Sequence, residues 1–409
     1  MRLNTSRRFR VALMCALLSA GVCVAVAAYA APALPFALRP QAATAEYPPH
    51  YLPLIASATH MKLPKGPDVI FTGDNTEMRV VWQLTATLSA QLRWGTDSAY
   101  SAGSVTTREY TPDHMHAHTI AGLTPGLKYY YRVTAGNADA VGSFTAAPAP
   151  SASLLKFVVY GDTRTYPATH DAVAGDIVAT YHADHAYQTL ALMTGDLVSA
   201  GDSEASWSGE FFDPRYANIR AVLANVAVLP IIGNHEQSGV LFAKYFPMPF
   251  VAGRYWSFNY GPIHVAMLDQ YTDYAAGSPQ YSWLQNDLAG SDKIWKFVVL
   301  HEPGWSAGGG HANNTTVQND LQPLAVEYGV SFVLGGHNHY YARAVVDGVQ
   351  HLTVGTGGAP LVVPDPSYPY VVTTDMSHGF TRFAIDGHTL TMTAVRLDGS
   401  VVESITLTR

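Results

Sequence analysis

The sequence predicts two domains in tandem, an all-β sandwich followed by an α/β layered domain, and three observations carry that reading. Between about Leu63 and Phe144, short strand-like runs alternate with turn residues, and no helical period of useful length appears. From residue 154 to the C-terminus, apolar runs of strand length alternate with helical stretches. Between the two lies Ala146-Ala147-Pro148-Ala149-Pro150-Ser151, the composition of a short stiff linker. The 409 residues are 48% hydrophobic and include 15 Phe, 7 Trp and 24 Tyr, enough for a large core, which excludes a disordered protein. Charged residues make up only 13%, and a formal charge of −7 leaves no basic footprint for nucleic acid.

The first segment reads as an address. Arg2, Arg7, Arg8 and Arg10 precede a small, apolar run from Val11 to about Ala31, with Ala28-Tyr29-Ala30 as the cleavage site. This predicts a signal peptide over 1–30, a secreted or periplasmic location, and no membrane attachment after cleavage. An uncleaved anchor helix is the competing reading, because the run is about long enough to span a bilayer. The small residues of its second half and Pro32 favour cleavage. Arg7-Arg8 adds a hint of twin-arginine export. Cleavage after Ala30 leaves 20 basic against 31 acidic residues, a charge of −11, and removes both Cys15 and Cys23. A chain without thiols forms no disulfide and no zinc–thiolate site, so any metal falls to oxygen and imidazole donors, of which 17 histidines remain.

Residues 31–62 are rich in Ala and Pro and predict a tether without a core of its own. The sandwich is placed over 63–146, with strands expected at 78–84, 91–94, 116–120, 129–135 and 141–144. Leu123-Thr124-Pro125-Gly126 ahead of Tyr129-Tyr130-Tyr131 suggests a tyrosine corner, and the module resembles a fibronectin type III domain. A linker over 147–153 and a second domain over 154–409 follow. Helices are expected over 169–182, where Val173, Ile177 and Tyr181 recur every four residues, and over 279–288 and 315–328. The tail returns to strands at 379–385, 390–396 and 401–407.

Five apolar runs of the second domain end alike. Leu155 to Tyr160 leads into Gly161-Asp162, Thr189 to Met193 into Gly195-Asp196, and Val226 to Ile232 into Gly233-Asn234-His235-Glu236. Lys296 to Leu300 leads into His301-Glu302, and Ser331 to Leu334 into Gly335-Gly336-His337-Asn338-His339. In layered α/β folds, ligands bind beyond the carboxyl ends of strands. Asp162, Asp196, Asn234, His301, His337 and His339 are hard or borderline donors, which suit Fe, Mn or Zn. Two metals roughly 4 Å apart, sharing a carboxylate, clamp both oxygens of a phosphoryl displacement. The spacing of His337 and His339 lets an irregular backbone aim one imidazole at each.

The ordered set GD, GD, GNHE, a strand-ending His and GHNH resembles the calcineurin-like metallophosphoesterases. With a β-sandwich in front and GHNHYYAR near the end, it looks most like the purple acid phosphatases. The resemblance implies an αββα fold for the second domain and hydrolysis of a small phosphate ester by a hydroxide carried on two di- or trivalent metal ions. It implies Asp162, Asp196 and His339 at the first metal, with Asp196 bridging and Asn234, His301 and His337 at the second. His235 matches the histidine expected to stabilise the phosphoryl group or protonate the leaving oxygen. His311, in a glycine-rich loop, matches a position that carries substrate-contacting histidines.

Departures from the pattern matter. Where purple acid phosphatases carry a colour-giving tyrosinate the chain has Ser199, and where related diesterases carry a histidine it has Arg164. The first site therefore lacks both usual fourth ligands, and a colourless protein with a weakened first site is expected. Arg164 has a fork suited to phosphate oxygens, with pairing to a carboxylate as its alternative. His170 either swings back toward the first metal or substrate or is a surface residue at the start of its helix. Glu236 and Glu302 are read as residues that orient His235 and His301. His114, His116 and His118 are read as a solvated sheet face, and His351 and the Gly355-Thr356-Gly357-Gly358 run as structural. Three functions stay open: an acid-phosphatase-like monoesterase, a phosphodiesterase or nucleotide hydrolase, and a non-catalytic surface-binding protein with a decayed site. The oligomeric state is not readable from sequence.

Overall fold

The computed structural model describes residues 63–409, so the expected signal peptide and tether lie outside the described residues. The all-β part contributes β1 (Lys65–Ile70), β2 (Met78–Gln83), β3 (Ala90–Gly95), β4 (Gly103–Thr107), β5 (Met115–Ile120), β6 (Lys128–Ala135) and β7 (Ala138–Thr145). In the α/β part follow β8 (Leu154–Tyr160), β9 (Leu190–Met193), β10 (Ala227–Pro230), β11 (Trp256–Tyr260), β12 (Ile263–Met267), β13 (Trp295–Val299) and β14 (Phe332–Gly335). The tail holds β15 (Tyr341–Val346), β16 (Val349–Val354), β17 (Val371–Asp375), β18 (Gly379–Asp386), β19 (Thr389–Arg396) and β20 (Val401–Thr408). Among the described residues, no helix is long and apolar enough to cross a membrane.

Two sheets stack to build the α/β part. One has the order β20-β19-β18-β8-β9-β10-β1-β2-β5, the other β11-β12-β13-β14-β16-β15-β17. Their facing sides meet through four phenylalanines. Phe157 stacks on Phe383 at 4.8 Å within the first sheet, Phe297 on Phe332 at 5.4 Å within the second, and edge-to-face contacts join the pairs. Such pairs add about 0.5–1.5 kcal/mol each beyond the area they bury. The outer faces carry helices. Pro167–Ala183 buries Val173, Ala174, Ile177 and Tyr181. Pro279–Gly290 starts from Ser278, whose side chain accepts the Tyr281 N–H, with proline in the first turn.

The two parts share a sheet. Strand β1 pairs in parallel with β10 through Val69 and Ala227, so β1, β2 and β5 extend the α/β sheet, while β4-β3-β6-β7 form the opposing layer. Neither β1 nor β4 shows in the sequence pattern, since Lys65-Gly66-Pro67-Asp68 does not look like an interior strand. Ala146 and Ala147, where the expected sandwich meets the expected stiff linker, are fully buried. Further bonds lock the junction: Tyr131 Oη donates to the Ala224 carbonyl at 2.8 Å, and Ser143 N–H to Asn225 Oδ1 at 2.9 Å. In the front layer Tyr129 Oη accepts the Thr124 N–H at 3.0 Å.

The three sandwich histidines do not form a solvated face. His116 is fully buried, stacked on Trp82 at 5.6 Å, and the His118 ring lies 5.5 Å from Trp94. His114 sits outside the strand in a left-handed turn (φ 68°) and contacts Glu109. Alternation put His116 and His118 on one face, but that face turns inward, where Trp82, Trp94 and Thr107 of the sandwich itself pack against it.

Strand fusion buries Asp68. Desolvation pushes its carboxyl up to about 7, partly opposed by Arg220 and Lys65. A carboxyl raised in the folded state binds its proton more tightly there than when unfolded. Its contribution therefore declines as pH rises from about 4 to 7 and stays low above. Asp68→Asn is expected to match the parent in denaturant unfolding at pH 4 and to exceed it by up to about 4 kcal/mol at pH 8. Equal stabilities at pH 8 would contradict this.

Candidate metal centre

Parallel registers bring the five strand ends to one place. Val158 pairs with Ala191 and Val228 with Ala191 from the other side, while Val299 lies opposite Leu334 in the second sheet. The ladders continue past the strands, with Asp162 N–H on the Gly195 carbonyl and Gly336 N–H on the His301 carbonyl, both at 2.9 Å. His301 stitches the sheets together by donating Nδ1–H to the Thr194 carbonyl at 2.7 Å.

At the ends the backbone is forced. Asp162, Asp196 and His337 adopt left-handed conformations (φ 54°, 54° and 67°), unfavourable for residues with a Cβ and concentrated at functional sites. Glycines admit the carboxylates. A Cβ on Gly233 would fall 2.3 Å from Asp196 Oδ1, and one on Gly336 2.2 Å from Asp162 Oδ2.

All six candidate donors converge. His301 Nε2 lies 3.3 Å from Asp196 Oδ1 and 3.1 Å from Asn234 Oδ1. His337 Nδ1 lies 3.0 Å from that same amide oxygen and 3.2 Å from His301 Nε2. His339 Nε2 is 3.6 Å from Asp162 Oδ1. A carbonyl oxygen only accepts, so His301 and His339, each bonded through Nδ1 to a carbonyl (Thr194, and Pro360 at 2.7 Å), turn Nε2 inward. That is the usual arrangement of a metal-binding imidazole. Atoms of Asp162, Asp196 and His301 lie within 4.8 Å of one another, in a geometry able to hold a cation. The donor chemistry and the glycine cradle fit two metal ions: Asp196, Asn234, His301 and His337 around one, and Asp162, Asp196 and His339 around the other.

Electrostatics follow from the burial of Asp162 and Asp196. Burial drives the Asp162 carboxyl well above its usual range, with Asp196 adding to the rise. Burial would raise Asp196 too, but His301 beside it wins and holds that carboxyl low. His301, disfavoured as a cation by burial, is pulled up to about 10 by the two aspartates. His337 and His339 go the other way, to about 3 and about 4, chiefly by desolvation. Two lone-pair imidazoles facing two carboxylates are a ligand set that attracts a cation.

The surrounding residues explain the rigidity. Glu236, read as an orienter of His235, instead collects the N–H groups of Gly233, Asp196 and Leu197 at 2.7, 3.0 and 2.8 Å. Desolvation and Asp196 raise its carboxyl to about 7. Gln270 Oε1 accepts from both His301 and Glu302 N–H, and Glu302 turns its carboxylate to Tyr271 and Asn314 rather than to the His301 ring. Asn338, buried between the two histidines of GHNH, accepts the His311 N–H at 2.6 Å and donates to Ser306. Sequence reading passed over Gln270 and Asn338. Asn338 had a signal in its place between two ligand candidates, while Gln270 had none.

The other candidates divide. His235 reaches the site, with Nε2 3.9 Å from Asp196 Oδ2 and Nδ1 donating to the Ser199 carbonyl. His311 stacks on His337 at 3.8 Å. Arg164 places Nε 3.3 Å from Asp196 Oδ2 and Nη2 3.3 Å from His339 Nε2. His170 does not join them. It is neither a surface residue nor turned to the metal donors, but fully buried against Tyr160 and Phe211, and desolvation lowers it to about 3. His351 is buried and bonded to Gln322.

Comparison with known proteins agrees with this two-domain fold. The family profile described as calcineurin-like phosphoesterase matches residues 155–341, and that of the purple acid phosphatase N-terminal domain matches 64–146. The chain is 25% identical over 316 residues to probable purple acid phosphatase 20 of Arabidopsis thaliana, covering 71% of this chain and 69% of that one. It is 27% identical over 331 residues to purple acid phosphatase 18 of the same plant, covering 72% and 71%. Among solved structures, purple acid phosphatase PPD1 from yellow lupin (Lupinus luteus) seeds has the same fold at a TM-score of 0.71 and 19% identity, covering 84% of this chain and 74% of the other. A structure of PhoD follows at 0.62 and 14%, covering 84% and 88%.

Glu236→Gln offers one acceptor oxygen and turns an amide NH₂ toward backbone donors. Zinc affinity in equilibrium dialysis is expected to drop about 10–100-fold, the range for lost support of a metal ligand. Unchanged affinity would show that the Asp196 loop needs no such brace.

Proposed function

The chain belongs to the calcineurin-like phosphoesterases, with a purple acid phosphatase N-terminal domain in front, and on that footing we propose that it is a secreted or periplasmic phosphomonoesterase working with two metal ions. Its catalysis is metal-dependent phosphoester hydrolysis. The observation that carries the finer reading is the convergence of Asp162, Asp196, Asn234, His301, His337 and His339 around the Asp196 carboxylate. Bound there, Fe, Mn or Zn would supply Lewis acidity and a water acidified toward neutral pH.

The chain's own groups then have separate tasks. Asp162, Asp196 and His301 form the buried floor, while Asn234, His235, His337 and Arg164 keep partial or full exposure on the side a substrate enters. His235, fixed through its Nδ1–H, presents Nε2 to the site and is placed to protonate a leaving oxygen. Arg164 and His311 supply donors for the outer phosphate oxygens. A monoester carries one more negative charge than a diester, and the Arg164 guanidinium at the site favours the more highly charged substrate. That contrast supports a monoesterase over a diesterase. Arg2, Arg7, Arg8 and Arg10 before the apolar run, with Ala28-Tyr29-Ala30, support export.

Purified protein supplied with Mn or Zn is expected to hydrolyse a chromogenic phosphomonoester at least roughly tenfold faster in kcat/KM than the matching diester. Asp196→Asn is expected to lower kcat by roughly 10³-fold, the scale on which a transition-state charge partner acts. Metal-replete protein that turns over neither ester would overturn the proposal. With Ser199 in the tyrosinate position, iron-loaded protein is expected to show no purple absorption band. A visible band would mean that another phenolate reaches the metal.

A further inference from the structure

The two halves of the site are not equally available. Around Asn234, His301 and His337, the inward-facing atoms Oδ1, Nε2 and Nδ1 meet one another and Asp196 Oδ1, and no arginine reaches them among the described residues. In the other half, two of three donors already hold a cation. Arg164 Nε reaches Asp196 Oδ2 and Nη2 reaches His339 Nε2, both at 3.3 Å. His339 Nδ1 carries its hydrogen toward the Pro360 carbonyl, so Nε2 is an acceptor, and a guanidinium has only hydrogens to offer it. The lone pairs a metal would need there are the ones Arg164 occupies.

The guanidinium is braced in this place. Nη1 donates to Thr165 Oγ1 at 3.1 Å, and Thr165 Oγ1 lies 3.3 Å from Ser199 Oγ. A single carboxylate oxygen of Glu210 accepts from Ser199 Oγ (2.8 Å), Ser199 N–H (2.9 Å) and Thr165 N–H (2.8 Å). Thr165 holds a left-handed conformation, φ 75°, which is strained for a β-branched residue and persists only where its surroundings enforce it. Glu210 lies in a short π-helical turn, Trp207–Phe211, a feature frequent at functional sites. Ser199, at the position where the family resemblance expects a ligand, therefore serves the arginine instead.

We propose that Arg164 is a resident counter-ion of the half-site formed by Asp162, Asp196 and His339, which a metal must displace. The metals then bind unequally. The Asn234–His301–His337 half fills first, and the Arg164 half fills only at higher free metal. Once displaced, the arginine remains tethered beside Thr165 with its fork free for a phosphate oxygen, which couples metal entry to the appearance of a substrate clamp. This inference rests on the metallophosphoesterase reading of the site.

Equilibrium dialysis of the full-length protein against graded free zinc, with metal per chain counted by mass spectrometry, tests it. The parent protein is expected to show two steps of one zinc each, separated at least tenfold in free zinc. Arg164→Ala is expected to move the weaker step at least tenfold tighter and leave the stronger one in place. Asn234→Ala should weaken the stronger step, which assigns the two halves. Thr165→Ala, which keeps the arginine but removes its brace, should shift the weaker step in the same direction as Arg164→Ala and covers the case in which that variant does not fold. Two equal steps in the parent would overturn the proposal, as would a weaker step that does not move or that loosens in both arginine-site variants. Because the readout is bound metal, the phosphoesterase reading fails separately. Two unequal zincs without ester turnover would refute that function and leave this inference standing.

Discussion

Two carboxylates sealed from water in one pocket demand positive charge, and the centre of this protein is organised around that demand. Asp162 and Asp196 are essentially fully buried, and the neighbouring imidazoles and guanidinium all face them. His301 answers by holding a proton far above its ordinary range, Arg164 by direct contact. A pair of metal ions answers the same demand more completely, because each brings a higher charge and accepts lone pairs that a proton or guanidinium can only share.

The fold makes this electrostatic arrangement affordable. Parallel strands in both sheets end at one level, so side chains far apart in sequence need no long loops to meet. The phenylalanine layer fixes the distance between the sheets, and the His301–Thr194 bond ties them at the site itself. Left-handed backbones at three site residues are tolerated because Glu236 and the glycine contacts leave the chain no easier path. Extension of the catalytic sheet by β1 covers the β10 edge, so the front module buttresses the strand that carries Asn234 and His235.

Much of this was legible in the sequence, and the failures have physical reasons. The candidate metal donors could be read because each follows an apolar run of strand length, with glycine at four of the five run ends, a purely local signal. His170 could not be placed, since a helical register says which face is buried but not that the histidine is enclosed by Tyr160 and Phe211. His116 was misread because its burial depends on pairing between distant segments. Ala146 and Ala147 have linker composition, yet small apolar residues also fill a tight junction, and only tertiary packing decides between the two. The Glu210–Ser199–Thr165–Arg164 chain escaped notice because Glu210 has no motif around it and its partners join only in the folded state.

The central claim is that one carboxylate, Asp196, serves two cation positions at once. Crystals grown with zinc and measured on both sides of the zinc absorption edge test it most directly. The account predicts two anomalous peaks sharing Asp196, one also touched by Asn234, His301 and His337, the other by Asp162 and His339. Zinc found only elsewhere on the protein, or at these histidines with Asp196 turned away, would contradict it.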